Sequence, residues 1–303
     1  MNAYLQRYIG WMMERSPDFS NLSFAVDCSN GMASLLVHEL FPGAVVINDV
    51  LDGRFPNHSP NPLKAEARAE AAALVREKGL DCAVIFDGDA DRCMFLDERG
   101  EFVQPDYLIP VVARGCGEVK GRKVIHDVRT SRGAIEAVRE SGGEPVMVPV
   151  GHAFAKPALR GTGALCGGEL AGHYYFSDFH CCDSGVLAAL RILGEISKAK
   201  AGGVPFSELM RPISGRYANS GELNFKVEDK DAAIGRILAS AAKSLPREIS
   251  RSEIDGVRLE YAEGWVNVRK SNTEPYLRLI VECDAARRLD EWLAVLKEAI
   301  DAR

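Results

Sequence analysis

Cys82-Ala83-Val84-Ile85-Phe86-Asp87-Gly88-Asp89-Ala90-Asp91-Arg92 is the stretch from which the rest of the chain is best read. Its first five residues form an apolar run too short for a helix, which reads as a strand buried on both faces of a parallel sheet. Carboxylates then follow at i, i+2 and i+4. In open α/β sheets the carboxyl ends of the strands are where ligands gather. Two unit charges about 4 Å apart repel by roughly 4 kcal/mol at an effective dielectric near 20. The crowded aspartates Asp87, Asp89 and Asp91 therefore call for a cation, and hard oxygen ligands suit Mg²⁺. Arg92, the next residue, is placed to clamp an anion beside that metal.

Two other readings compete for these aspartates. A calcium-binding EF-hand loop would use Asp87, Asp89, Asp91 and Glu98, but its sixth position needs glycine and here it is Arg92. The flanking residues also read as strands rather than helices. A phosphatase of the haloacid dehalogenase type would use Asp87 as nucleophile and Asp89 as partner. Asp91 then stands where that motif has threonine, adding a negative charge that hinders attack on a phosphoryl group.

Outward from this strand the chain alternates β and α. Upstream lie a strand at 22–26, a turn through Asn30-Gly31, a helix to about 41, a strand at 44–47, the loop Phe55-Pro-Asn-His-Ser-Pro-Asn-Pro62 and a helix at 64–78. Downstream the pattern returns, with strands at 123–125, 146–150 and 164–166 and helices at 107–114, 131–141, from 152 and at 184–197. After Ala199-Lys-Ala-Gly-Gly203 the style changes to strands grouped between two helices. The fold class expected is α/β: two successive α/β/α sandwich domains, then a smaller α+β C-terminal domain. The expected domains are 1–103, 104–212 and 213–303, with a hinge near 203–213. An amphipathic helix at 4–13 precedes them, its apolar stripe needing a surface to pack on.

Composition agrees with a globular chain. Of 303 residues, 47% are hydrophobic and 26% charged, which excludes a disordered chain. A net charge of -6 argues against non-specific nucleic-acid binding. No apolar run is long enough to span a membrane, and the N-terminal residues lack the features of a secretory signal. The eight cysteines show no Cys-x-x-Cys spacing and mostly sit in strand-like runs, as expected of buried thiols in a reducing, cytoplasmic setting.

Two further motifs can carry chemistry. In Gly167-Gly168-Glu169-Leu170-Ala171-Gly172-His173, Glu169 can accept hydrogen bonds from sugar hydroxyls and His173 can exchange a proton near neutral pH. In Arg269-Lys270-Ser271-Asn272-Thr273-Glu274-Pro275, with Arg278 beyond it, guanidinium, hydroxyl and amide groups share one turn and make a phosphate nest. His152 at a helix start, and Arg129 with Ser131 and Arg132 after a strand, are lesser anion-binding candidates.

Together these motifs resemble the α-D-phosphohexomutase superfamily, the phosphomannomutase and phosphoglucomutase type, over nearly the whole chain and in the same order. The resemblance implies that Asp87, Asp89 and Asp91 hold Mg²⁺, with Arg92 beside them. It implies that Glu169 and His173 belong to a sugar-binding loop, with His173 as general acid/base. It also implies that Arg269, Ser271, Asn272, Thr273 and Arg278 hold the distal phosphate, with His152 and Arg129 contacting substrate. Val26-Asp-Cys-Ser-Asn-Gly-Met-Ala-Ser34 and the loop at 55–62 match signatures of the family's second domain, so Ser29 is not promoted to nucleophile. The implied activity is phosphoryl transfer between C1 and C6 of hexose phosphates through a 1,6-bisphosphate.

The family's first domain carries the phosphoserine, and no counterpart of its loop occurs among these residues. The expectation is a chain holding domains two to four, inactive alone and dependent on a separate phosphoserine domain as partner. The alternatives are a non-catalytic sugar-phosphate-binding protein and the phosphatase using Asp87. Two departures from the family stand out. Ala171 replaces a serine, losing a hydroxyl worth on the order of 1 kcal/mol of net binding. Arg129 replaces a lysine, keeping the charge but changing the donor geometry.

Overall fold

The computed structural model describes residues 3–271 and 275–301. The first sheet contains β1 (Phe24–Asp27), β2 (Val45–Ile47), β3 (Cys82–Phe86), β4 (Cys93–Leu96) and β5 (Phe102–Val103), in the order β2-β1-β3-β4-β5. The second contains β6 (Lys123–Asp127), β7 (Glu144–Val148), β8 (Cys166–Gly168), β9 (Tyr174–Phe176) and β10 (Cys182–Asp183), in the order β7-β6-β8-β9-β10. These are one topology used twice. Three parallel strands come first, with the earliest in the centre, and two antiparallel strands close the edge.

The helices are α1 (Ala3–Met13), α2 (Val37–Leu40), α3 (Ala69–Lys78), α4 (Ile109–Gly115), α5 (Arg132–Glu140), α6 (His152–Thr162), α7 (Gly185–Ala201), α8 (Phe206–Ser214), α9 (Lys230–Ser244) and α10 (Ala286–Asp301). Ala71 and Val75 of α3 cover the outer face of the first sheet against Ala83, Ile85 and Leu96. Ala155 and Leu159 of α6 do the same for the second sheet against Ile125 and Val148. The inner faces share one continuous core, with Phe24, Val26, Val84, Phe86 and Phe95 from one sheet and Val124, Cys166, Tyr174 and Phe176 from the other. Between them, α7 is buried on nearly every side from Gly185 to Ser197. The two sandwiches thus share their middle layer of helices, which fixes the two sheet edges relative to each other.

The stripe on α1 docks through Ile9 and Met12, with Tyr8 and Trp11 against Phe179, while Tyr4 and Met13 remain exposed. The stretch 203–213, read from the sequence as a hinge, is largely helix α8. Phe206, Met210 and Ile213 fall at i, i+4 and i+7 and are buried, in a helix packed on α5 and α7. The Gly-Gly pair before it masked that periodicity.

The last sheet is antiparallel. It holds β11 (Ala218–Asn219), β12 (Leu223–Lys226), β13 (Ser250–Ser252), β14 (Val257–Glu260), β15 (Gly264–Lys270) and β16 (Tyr276–Cys283). Successive side chains of a strand point to opposite faces. Val266 and Val268 of β15 accordingly pack under α9 and α10 with Leu277, Leu279 and Val281. Trp265, Asn267 and Arg269 share the other face, and all three are buried.

That second face is the seam with the middle domain, and it is polar. Arg258 is 1% exposed. It donates from Nη1 to Val128 O (2.5 Å) and Thr130 O (3.0 Å) and from Nε to Glu260 (2.7 Å). Its guanidinium lies 3.7 Å from the Trp265 ring centroid. Arg132, a lesser anion candidate in the sequence, is instead engaged here. It donates to Glu260 and to the carbonyls of Tyr261, Ala262 and Gly264, while its backbone N–H donates to the buried Glu282.

Candidate functional site

Both candidate loops of the α/β region occupy one topological position, the hairpin between the third parallel strand and its antiparallel neighbour. Residues 87–92 join β3 to β4, and residues 169–173 join β8 to β9. The loops after the central strands correspond as well. Asp27 Oδ1 accepts from Ser29 N (2.8 Å), and Asp127 Oδ1 accepts from Arg129 N (2.7 Å). The two hairpins meet edge to edge, where Arg92 and His173 form an isolated antiparallel bridge. Two motifs far apart in sequence become adjacent backbones in this way.

In the acidic loop one carboxylate oxygen from each of Asp87, Asp89 and Asp91 lies within 4.8 Å of the other two. Asp87 is 1% exposed. Its Oδ2 accepts from Arg92 Nε (2.7 Å) and its Oδ1 from Arg92 N (3.1 Å). Burial outweighs that guanidinium and pushes the Asp87 carboxyl up to about 6. A buried acid held on both oxygens by one arginine is poorly placed for in-line attack, which disfavours the phosphatase reading. Asp89 is exposed and Asp91 half-buried. The turn bends through Ala90, whose φ of +61° is a left-handed conformation for a residue with a Cβ. Three convergent hard donors with one face open to solvent fit a small divalent cation, with water completing its shell.

The neighbouring loops wall this turn. Met32 N donates to Gly88 O (2.9 Å). A Cβ on Gly31 would stand 2.4 Å from that same oxygen, so only glycine permits the approach. Ser29 is buried, its Oγ donating to Phe86 O (2.6 Å), a structural role. The loop at 55–62 lies against the turn through Phe55 and Pro60, which approach Gly88. Its His58 has Nε2 3.0 Å from Asp27 Oδ2 and Nδ1 2.9 Å from Ser59 O. Both partners are acceptors, so the ring is an imidazolium. The bond to Asp27 raises it to about 9.

In the second hairpin, Glu169 is 2% exposed. Its Oε1 accepts from Tyr175 OH (2.6 Å), and its Oε2 lies 3.7 Å from Arg129 Nη2. Burial raises the Glu169 carboxyl above its usual range. His173 Nδ1 lies 3.0 Å from Asp183 Oδ2 and 3.6 Å from Asp91 Oδ2. Donation to Asp183 assigns the proton to Nδ1 and leaves Nε2 for a ligand. His152 Nδ1 lies 3.1 Å from the same Asp183 oxygen, its ring T-shaped on His173, and Lys156 Nζ is 2.8 Å from Asp183 Oδ1. Burial alone would raise Asp183, but His173 and Lys156 outweigh it and hold the acid far below the usual carboxylate range.

The third motif joins through Arg129. Buried to 4% exposure, it donates from Nη2 to Asp127 Oδ2 (2.6 Å), and its Nη1 lies 3.5 Å from Glu222 Oε1. Arg269 Nη2 donates to Glu222 Oε1 (2.9 Å) and Arg278 Nη1 to Glu222 Oε2 (3.0 Å). Arg269 and Arg278 are directly paired across β15 and β16. Ser271 is buried at the end of β15. Asn272 and Thr273 lie outside the described residues.

The sequence reading did not single out Asp183, Lys156, Tyr175 or Glu222. Asp183 and Lys156 stand in no motif. Tyr175 reads as one aromatic of an apolar strand. Glu222 follows Ser220-Gly221 as any loop acid might.

Comparison with known proteins places this geometry. Residues 4–100 match the family model for phosphoglucomutase/phosphomannomutase α/β/α domain II, residues 104–217 that for domain III, and residues 222–299 that for the C-terminal domain. The chain belongs to the phosphoglucomutase/phosphomannomutase family. A phosphomannomutase of Vibrio cholerae is 38% identical over 272 residues, covering 86% of this chain and 58% of that protein. A protein of Xanthomonas campestris named for phosphohexose mutases is 37% identical over 285 residues, covering 92% of this chain and 62% of its own length. The chain thus spans about three fifths of these relatives. A crystal structure of a phosphoglucomutase/phosphomannomutase family protein from Burkholderia thailandensis superposes with a TM-score of 0.84 at 28% identity, covering 97% of this chain and 63% of that one. Among the described residues no helix is long and apolar enough to cross a membrane.

Proposed function

We propose that this chain binds phosphorylated hexoses in the cleft where its three domains meet, and that it serves phosphoryl transfer between C1 and C6 through a hexose 1,6-bisphosphate. The observation that carries the reading is an unbroken line of side chains. It runs from Asp91 through His173, Tyr175, Glu169, Arg129 and Glu222 to Arg269. All three sequence motifs lie on it.

Asp87, Asp89 and Asp91 would hold Mg²⁺, which when bound would neutralise charge on the phosphoryl being transferred. Arg92 orients Asp87 and borders the anion. His173, its Nδ1–H held by Asp183, presents Nε2 to take a proton from a sugar hydroxyl and return it. Glu169 keeps Oε2 toward the hydroxyls while Oε1 holds Tyr175, and His152 stands beside His173 at the mouth. Arg129, Arg269, Ser271 and Arg278 would receive the distal phosphate, with Asn272 and Thr273 assigned there by the family's motif. Eight free thiols suit a reducing, cytoplasmic setting.

The matched domains are II, III and C-terminal, so these residues by themselves need a phosphoryl donor from elsewhere, a phosphoserine domain in the family's pattern. Phosphorus NMR of the chain with Mg²⁺, glucose 1-phosphate and a trace of glucose 1,6-bisphosphate tests this. The expected spectrum shows no glucose 6-phosphate. Its appearance would place a donor among these 303 residues and refute the proposed dependence.

A further inference from the structure

Glu222 is the acid that the proposed mechanism does not use, yet it stands at the centre of the arginines assigned to phosphate. Arg129 comes from the middle domain, and Arg269 and Arg278 from the C-terminal one. All three reach its carboxylate at 3.5, 2.9 and 3.0 Å. The Glu222 side chain is 18% exposed, the Arg129 side chain 4% and the Arg269 side chain 2%. Asp127 already pairs Arg129 at 2.6 Å, whereas Arg269 leans on Glu222, and without an anion the desolvation of so buried a charge goes uncompensated.

Glu222 satisfies them incompletely. Arg269 offers a fork of Nε and Nη2, the edge that matches a bidentate phosphate or carboxylate. Glu222 takes Nη2 alone, and among the described residues Arg269 Nε is buried with no acceptor. A buried donor left unpaired in an otherwise bonded site marks a place that another ligand completes. A phosphoryl dianion supplies three acceptor oxygens where a carboxylate supplies two, and carries about twice the charge. It would satisfy Nε and Nη2 of Arg269 together, but Glu222 Oε1 already occupies Nη2, one half of that edge.

We infer that Glu222 is a built-in stand-in for the substrate phosphate: it holds the three arginines across the domain seam and competes with the phosphate that replaces it. The inference rests on the hexose-phosphate reading and adds a positioning residue to it. Glu222 orders the guanidiniums beforehand, and its negative charge sets how much anion is needed to displace it. A singly charged anion exchanges like for like, whereas a phosphoryl dianion gains charge and one more hydrogen-bonding oxygen. The same carboxylate therefore selects dianionic phosphoryl groups over monoanions, and it clasps the C-terminal domain to the middle one while the site is empty of substrate.

The test is calorimetric titration of inorganic phosphate and of glucose 1,6-bisphosphate into the unaltered chain and into Glu222→Gln, with thermal melts of both. Glutamine keeps the shape and one acceptor oxygen but removes the charge, so phosphate should bind roughly tenfold tighter. The same variant should discriminate less between phosphate and the monoanion acetate. The clasp lowers the melting temperature of the variant on either account, so the affinities decide: a merely structural Glu222 predicts phosphate affinity unchanged or weaker, with discrimination against acetate unchanged. That result overturns the inference. A crystal of the unaltered chain soaked in inorganic phosphate decides the matter even if the variant does not fold. The Glu222 carboxylate should then be withdrawn from Arg269, with phosphate on Nε and Nη2. Phosphate bound with Glu222 still on its arginines contradicts the inference. If the unaltered chain binds neither probe at millimolar concentration, the hexose-phosphate reading fails, and the inference with it.

Discussion

Magnesium titrated into Asp89→Asn or Asp91→Asn should bind on the order of 100-fold more weakly than to the unaltered chain, with the fold intact. Each substitution removes one of three convergent charges from a cation that binds through hard oxygen contacts. Asp89 is exposed and Asp91 half-buried, so neutralising either leaves no buried partner stranded. Asp87→Asn should behave differently. It weakens the metal and also releases Arg92, whose Nε and backbone N–H both depend on that carboxylate. Calorimetry separates these cases, with melting curves as control. Magnesium affinity within twofold of normal in folded Asp89→Asn would mean the ion sits elsewhere. The other candidate, formed by Asp91, His152, His173 and Asp183, would then become the centre to examine.

The largest stability effect should come from Arg258→Met. The side chain is fully enclosed, and burial lowers the affinity of its guanidinium for its proton despite Glu260 beside it. Methionine matches much of its length and none of its donors. The carbonyls of Val128 and Thr130 and the carboxylate of Glu260 would each lose a partner. Breaking one side of a buried charge pair typically costs about 3–5 kcal/mol, and each stranded carbonyl costs a further 1 kcal/mol or more. Val128 and Thr130 flank Arg129, so the loss should also loosen a site arginine. Urea denaturation should show a loss of at least about 3 kcal/mol, with weaker phosphate binding in the folded population. A loss below about 1 kcal/mol would show that water replaces the guanidinium at the seam.

What could be read in the sequence divides along a physical line. The acidic turn was legible because its three carboxylates are nearly consecutive and follow an apolar run that only a buried strand explains. The glutamate-histidine hairpin and the arginine-serine turn were legible for the same reason, since each motif carries its chemistry within a few residues. The α/β alternation was legible from runs whose lengths and apolar spacing fit only one element each. The shared helical layer was not. Helix α7 is apolar over most of its circumference from Gly185 to Ser197, Arg191 and Glu195 excepted, and that reads as a buried helix whether one sheet or two cover it. Glu222 was not legible either, because its meaning depends on Arg129, 93 residues away, and on two arginines of another strand. The pairing of Asp183 with two histidines has the same character, set by packing and not by spacing. Helix α8 hid behind a Gly-Gly pair and two prolines, Pro205 just before it and Pro212 between the buried Met210 and Ile213.

The central claim is that the motifs form one ligand site spanning three domains. Calorimetry of glucose 1,6-bisphosphate with Mg²⁺, on the unaltered chain and on Arg92→Gln and Arg269→Gln, addresses it most directly. These arginines lie at opposite ends of the line of contacts, in different domains. The account predicts one bisphosphate per chain, with affinity lowered at least about tenfold by either substitution, since each end loses a charge-assisted phosphate contact. Two independent weak sites, each touched by only one substitution, would contradict it.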